Sequence, residues 1–65
     1  MTIIDYMTRA GIDSRRELSR RTGIAHSTLD AIIADPNRAR VYQMASIADA
    51  CRMSSSEVGE LVRRA

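Results

Sequence analysis

The stretch from Ser14 to Ala34, SRRELSRRTGIAHSTLDAIIA, constrains the fold of this chain more than any other. Ser14 followed three residues later by Glu17 is a capping-box pattern, which predicts that a helix begins at Arg15. Gly23 predicts the end of that helix, because glycine enters the left-handed backbone conformation without a steric cost. The sequence therefore predicts two short helices joined by a tight glycine turn.

Apolar residues in this stretch recur at the spacing of two crossed helices that share one small core. They are Leu18, Ile24, Leu29 and Ile32. A helix pair of this length and turn is suited to placing its second helix in the major groove of DNA. Binding of double-stranded DNA is therefore the leading hypothesis for the function of the chain.

Short helices are also predicted on both sides of the pair. Thr2 is suited to cap a first helix that ends at Gly11, and Pro36 predicts a turn because it disfavours helical geometry at the residue before it. Helical spacing of apolar residues predicts a fourth helix over residues 40–51, and Ser54 with Glu57 predicts the start of a fifth. The apolar positions are Val41, Met44, Ala45, Ala48 and Cys51 in the fourth helix, and Val58, Leu61 and Val62 in the fifth.

No segment has the pattern of a β-strand, so we predict an all-α fold, a five-helix orthogonal bundle. Its 65 residues are expected to form one domain, with the central helix pair at about residues 15–34. A single cysteine excludes an internal disulfide, and no Cys and His spacing indicates a metal site or a cofactor. The chain also lacks a signal-peptide pattern and an apolar run of membrane-spanning length, which favours a cytoplasmic protein.

Positive charge is concentrated on the helix pair and the loop that follows it. The formal net charge is only +2, but residues 15–40 contain six arginines and three acidic residues, whereas the rest contains four arginines and five acidic residues. The six are Arg15, Arg16, Arg20, Arg21, Arg38 and Arg40. This distribution favours an anionic partner on one part of the surface.

The chain resembles the helix-turn-helix DNA-binding domains of the Cro/phage-repressor (XRE-type) family over nearly its full length. RRELSRRTGIAHSTLDAII resembles the helix-turn-helix, and VYQMASIADACRMSSSEVGEL is similar to the family's fourth and fifth helices. The resemblance implies a lambda repressor-like fold and a sequence-specific transcriptional regulator. The chain most resembles a single-domain Cro-type repressor of a phage or prophage that binds a two-fold operator as a homodimer.

Four residues depart from the family's pattern. Ser19 stands where alanine is usual, Thr22 where an apolar residue is common, and Arg52 where glycine often follows the fourth helix. Ala25 stands where Ser or Thr would normally cap the second helix of the pair, and the loss of such a cap costs about 1 kcal/mol. The departures leave the predicted fold in place and bear mainly on how the second helix docks.

In this arrangement, the N-terminal part of the second helix faces the base edges. The base-contacting candidates are His26, Ser27, Thr28, Asp30 and Ala31, and the phosphate-contacting candidates are Arg15, Arg16, Asn37, Arg38, Arg40 and Tyr42. Asp30 has two possible roles, because it can accept from a cytosine amino group or hold a neighbouring arginine in place. Arg21 is expected to face solvent or to pair with Glu17 at i, i+4 spacing.

A second copy of the chain is the expected partner besides DNA, and no small-molecule ligand is expected. Candidates for the dimer interface are Val41, Val58, Leu61 and Val62, and the alternative is that these residues only complete the core of a single chain. Other functions left open are a protein interaction module, a small antitoxin and a restriction–modification controller. Catalysis is not expected, since His26, Ser27 and Asp30 on one short surface helix cannot form a triad in a water-excluded cleft.

Overall fold

Five α-helices and one 3₁₀ helix form the part of the chain that the computed structural model describes, residues 1–64. The α-helices are α1 (Ile3–Arg9), α2 (Arg15–Thr22), α3 (His26–Ala34), α4 (Val41–Ala50) and α5 (Ser55–Arg64), and the 3₁₀ helix is Pro36–Arg38. Within these residues there is no strand, and no helix is long and apolar enough to cross a membrane. The prediction of an all-α chain with five helices is confirmed, whereas the orthogonal packing with a central helix-turn-helix stays a prediction.

Serine or threonine side chains cap three of the α-helices. Thr2 caps α1 in a reciprocal capping box with Asp5, and Ser54 caps α5 in the same way with Glu57, whose Oε1 lies 2.8 Å from the Ser54 nitrogen. Ser14 caps α2 through its Oγ, which accepts from the Glu17 N–H at 3.2 Å. These contacts account for the predicted starts of α1, α2 and α5.

Only half of the capping box predicted at the start of α2 is present. The Glu17 carboxylate turns away from the Ser14 N–H and accepts from Arg20 and Arg21, each at 2.8 Å. Hydrogen bonds from a guanidinium are charge-assisted and stronger than one from a backbone amide. This difference explains why Glu17 contacts the two arginines and not the Ser14 N–H. The expected pair between Glu17 and Arg21 is therefore confirmed.

The turn between α2 and α3 is held by side chains that the family pattern does not lead one to expect. Gly23 adopts a left-handed conformation with a φ of 74°, and its N–H donates to the Ser19 carbonyl at 2.8 Å. The Ser19 Oγ donates to the Ile24 carbonyl at 2.6 Å, and the Thr22 Oγ1 accepts from the Ile24 N–H at 3.3 Å. Ser19 and Thr22 thus satisfy backbone groups on the far side of the turn.

A single hydrophobic core connects the five α-helices, and α2 packs against both α3 and α4. The buried residues are Ile3, Tyr6, Met7, Ile12, Leu18, Ile24, Leu29, Ile32, Met44, Ile47, Cys51 and Leu61. The prediction that Leu18, Ile24, Leu29 and Ile32 share this core is confirmed.

The fourth helix buries a narrower face than its apolar spacing predicts. Met44, Ile47 and Cys51 are buried, but Ala45 is exposed and Val41 is 89% exposed. Side chains of a helix lean towards its N-terminus, so the side chain of the first residue, Val41, projects beyond the end of the helix. Of the two roles left open for Val41, completing the core of a single chain is therefore not the one that the structure gives it.

Arg9 joins α1 to the α4–α5 connection. Its guanidinium donates to both Glu57 carboxylate oxygens, with Nη2 to Oε1 at 2.9 Å, and to the Arg52 carbonyl at 3.3 Å. It also lies 4.9 Å from the centroid of the Tyr6 ring. Arg52, which stands where glycine is frequent in the family, has a φ of 56°, in the left-handed region that favours glycine. Arg9 therefore stabilises a connection whose backbone is strained for a non-glycine residue.

Glu57 gives the fold a measurable dependence on acid. The Arg9 guanidinium and then the Ser54 N–H lower the pKa of Glu57 to about 2. A carboxylate whose pKa is lowered in the folded state makes its full contribution to the free energy of unfolding above its pKa in the unfolded chain, about 4.3. The contribution is lost as the pH falls through the pKa in the folded state. We expect urea unfolding followed stepwise from about pH 5 to pH 2 to show a smaller loss of unfolding free energy in Glu57→Gln than in the wild type.

The matched control is Asp13→Asn, which removes an exposed carboxylate outside the described ion pairs and should keep the wild-type dependence. An equal loss of stability with acid in Glu57→Gln and the wild type would contradict the role given to the Arg9 contact.

Two glycine substitutions test the turn. A Cβ added at Gly23 or at Gly59 would meet no atom within 4 Å, so only the backbone conformation distinguishes the two sites. Gly23→Ala should lower the unfolding free energy by about 1–2 kcal/mol because of its left-handed φ. Gly59→Ala, inside α5, should raise it by up to about 1 kcal/mol, since alanine is the better helix former. Thermal or urea unfolding measures both, and changes of the same sign would contradict the prediction.

Candidate nucleic-acid interface

The first turn of α3 is an exposed polar surface fixed from behind by the core. His26, Ser27 and Thr28 are exposed, whereas Leu29 and Ile32 on the opposite side of the helix are almost completely buried. Asp30 is exposed and Ala31 is half-buried. The base-contacting candidates thus lie on the solvent side of a helix whose other side is anchored in the core.

The start of α3 has no side-chain cap. Ala25 is the N-cap residue, and no side-chain oxygen accepts from the first turn, although the Ala25 carbonyl accepts the first helical bond from Leu29 at 2.9 Å. The helix therefore begins at His26 with backbone N–H groups that face solvent. This end of the helix has a partial positive charge that favours anions nearby.

An ion pair connects the two helices at the exposed surface. The Arg15 Nε lies 3.6 Å from the Asp30 Oδ1, and both side chains are about half exposed. Of the two roles that the sequence left open for Asp30, the contact that the structure provides is the one with a neighbouring arginine. It brings a phosphate-contacting candidate beside a base-contacting one.

A groove with a volume of about 480 Å³ lies at the N-terminal end of α2. Arg15, Arg16 and His26 line it together, although His26 is ten residues further along the chain. The remaining lining residues are Ile4, Met7, Thr8, Ile12, Asp13 and Ser14. The wall that α1 provides was not anticipated, because it depends on how α1 packs against the helix pair and not on any local pattern.

The other phosphate-contacting candidates lie past the C-terminal end of α3. The 3₁₀ helix follows Ala34 closely and contacts α3, and its residues Asn37 and Arg38 are exposed. Arg40 and Tyr42, at the start of α4, are exposed as well. The candidates therefore form two groups, one near His26 at the start of α3 and one in the part of the chain that follows Ala34.

Internal ion pairs decide which arginines are available to a partner. Arg20 and Arg21 both contact Glu17, whose pKa is lowered first by Arg21 and then by Arg20. In the part of the chain that the structure describes, no ion pair joins Arg16, Arg38 or Arg40 to a carboxylate. Within residues 15–40, the arginines without an ion pair thus lie near the start of α2 and in the segment that follows α3.

An apolar groove with a volume of about 390 Å³ adjoins the second group of phosphate-contacting candidates through Asn37. It is lined by Pro36, Asn37, Ala39, Val41, Met44, Ala45, Ala48, Val58 and Val62. Three of the four dimer candidates therefore share one surface. Leu61 lies in the core of the single chain, which is the alternative that its spacing left open.

Chemistry-bearing side chains outside this surface are few. Residues 1–64 contain no group of three or more His, Cys, Asp or Glu side chains placed to hold a metal ion. Cys51 is completely buried in the core, and this burial raises the pKa of its thiol. A buried thiol with a raised pKa is a core residue with low reactivity.

No family model matches this chain, and comparisons with curated proteins and with solved structures find no match either. The resemblance to the XRE-type family therefore stays a prediction from the sequence. The geometry around α3 is the main support for a functional proposal.

Proposed function

We propose that this chain is a cytoplasmic, sequence-specific transcriptional regulator that binds double-stranded DNA through α3. The observation that carries the proposal is the exposed first turn of α3, anchored by Leu29 and Ile32 and placed beside Arg15 and Arg16. In this proposal α2, the Gly23 turn and α3 act as a helix-turn-helix. Its second helix lies in the major groove.

The dimensions of the surface suit a major groove. The groove of B-DNA is about 12 Å wide, which admits an α-helix whose diameter with side chains is about 10–12 Å. Arg15 and Arg16 at one end of α3, and Arg38 and Arg40 at the other, can then reach the phosphates on either side of the groove. Asn37 and Tyr42 add hydrogen-bond donors on the second side.

Base edges would be contacted by the first two turns of α3. His26 can donate or accept at a purine edge, and the hydroxyl groups of Ser27 and Thr28 can pair with several bases. Ala31 can contact the methyl group of a thymine. The small side chains of Ser27, Thr28 and Ala31 allow the helix backbone to approach the bases closely.

Useful specificity requires a second copy of the chain. One reading helix covers only a few base pairs, so a two-fold site with half-sites about one helical turn apart favours a homodimer. An interface with two-fold symmetry uses the same patch on both subunits. The apolar groove that contains Val41, Val58 and Val62 is such a patch, and the family resemblance favours a Cro-like repressor of a phage or prophage.

A protein interaction module without DNA affinity is the second candidate. The exposure of Val41 (89%) and Tyr42 (66%) favours it, because such residues often mark a protein interface. A restriction–modification controller or an antitoxin would share the DNA-binding surface of the main proposal. Retention on duplex DNA that weakens steeply with salt separates DNA binding from the interaction module.

Arg16→Ala tests the phosphate contacts. Each phosphate contact adds about 0.9 to the slope of log K against log salt concentration, so the variant should bind all duplexes more weakly with a slope smaller by about one. Fluorescence anisotropy of a labelled duplex, titrated between about 50 and 200 mM salt, measures the affinity and its salt slope.

The matched control is Arg21→Ala, which removes an arginine already paired with Glu17. It should keep the wild-type slope while circular dichroism confirms that both variants are folded. A wild-type slope in Arg16→Ala would remove Arg16 from the contacts.

Ser27→Ala tests base reading. The variant should change the order of affinities across a set of duplexes that differ at single base pairs, because a base contact specifies sequence whereas a phosphate contact does not. A changed base pair typically alters affinity by about 1–3 kcal/mol at a contacted position. Ser56→Ala, at an exposed position in α5, is the control. If Ser27→Ala and Ser56→Ala rank the duplexes in the same order of affinity, Ser27 does not read a base.

A further inference from the structure

The contact between Arg15 and Asp30 places a negative charge on the face of α3 that the proposed function turns towards DNA. Asp30 lies one helical turn after Ser27, and its Oδ1 is 3.6 Å from the Arg15 Nε. Both side chains are about half exposed, so solvent and a ligand can reach the pair. The guanidinium that would bind a phosphate therefore already has an anionic partner within the chain.

A phosphate has to compete with the Asp30 carboxylate for Arg15. If Arg15 moves to the phosphate, Asp30 loses its cation and faces an array of DNA charges of its own sign. That arrangement is unfavourable unless the DNA itself offers Asp30 a hydrogen-bond donor. The amino group of cytosine is the donor that the major groove offers to a carboxylate.

We propose that Asp30 is a specificity-determining residue that reduces binding to DNA of arbitrary sequence by competing for Arg15. The inference rests on the proposed function and adds a repulsive element to it. On a site that presents a cytosine amino group to Asp30, the carboxylate is satisfied and Arg15 is free to contact the backbone. On other sites, either the Arg15 contact is lost or Asp30 is left unpaired, and both outcomes weaken binding.

The local charges allow a matched control. Asp13 lines the groove that also contains Arg15, Arg16 and His26, but no ion pair joins it to an arginine within residues 1–64. Asp13→Asn therefore removes the same charge near the same surface without releasing Arg15. The difference between Asp30→Asn and Asp13→Asn isolates the effect of the ion pair.

The experiment compares the wild type, Asp30→Asn, Asp13→Asn, Arg15→Ala and the Asp30→Asn/Arg15→Ala double variant. The probe is a labelled duplex pool of random sequence, titrated at several salt concentrations, with thermal unfolding as a check on the fold. Asp30→Asn should bind the pool roughly two- to fivefold more tightly than Asp13→Asn, the size expected for releasing an exposed ion pair. The slope of log K against log salt concentration should be steeper for Asp30→Asn than for Asp13→Asn by about 0.9, the value for one added phosphate contact. The increase in salt slope should be absent when Arg15 is also replaced, because no guanidinium is then released to a phosphate.

Two results would overturn the inference while leaving DNA binding intact. One is equal binding by Asp30→Asn and Asp13→Asn, and the other is an increase in salt slope from Asp30→Asn that persists in the Arg15→Ala background, which would be a general charge effect. Failure of the proposed function is recognised separately, since no variant, the wild type included, would then show salt-dependent binding. That result would overturn both.

Discussion

The position of α3 depends on the turn between Thr22 and Ile24. Gly23 reverses the chain in a left-handed conformation, and the Ser19 and Thr22 hydroxyl groups bind the backbone of Ile24 on the far side. Ile24 is itself buried, so the polar contacts of the turn and the apolar contacts of the core fix the same residue. This coupling holds the exposed first turn of α3 at a set distance from the N-terminal end of α2, where Arg15 and Asp30 meet.

Internal pairing gives the surface a charge distribution that a residue count does not reveal. Glu17 neutralises two arginines on α2, and Asp30 partly occupies Arg15. Among the arginines of residues 15–40, those without an ion pair are Arg16 near the start of α2 and Arg38 and Arg40 after α3. In the proposed function, steering towards DNA therefore depends on few side chains.

Local chemistry made much of the fold predictable. Ser14, Ser54 and Gly23 act through contacts within a few residues of the chain, so their effects on helix ends could be inferred from the sequence. The left-handed backbone of Arg52 was not predicted, although the structure gives this residue the conformation that glycine usually provides after such a helix. For α3, the buried residues followed from helical periodicity.

Tertiary packing determined what could not be predicted. Arg9 is 48 residues from Glu57, and no local pattern indicates that the two side chains meet. Val41 has the right spacing for a core position, but it lies at the first residue of α4 and is exposed. Tyr6 is buried, and its ring lies against Arg9. The groove between α1 and the helix pair, and the choice of Asp30 as the partner of Arg15, also required the relative placement of helices.

Selection from a pool of random duplexes tests the central claim most directly, because it asks both whether the chain reads sequence and with what symmetry. We expect the retained duplexes to share a two-fold symmetric site with half-sites about 10 bp apart, as required of two copies that each place α3 in the major groove. Retained DNA that stays random in sequence, or no retention at all, would contradict the account of α3 as a base-reading helix.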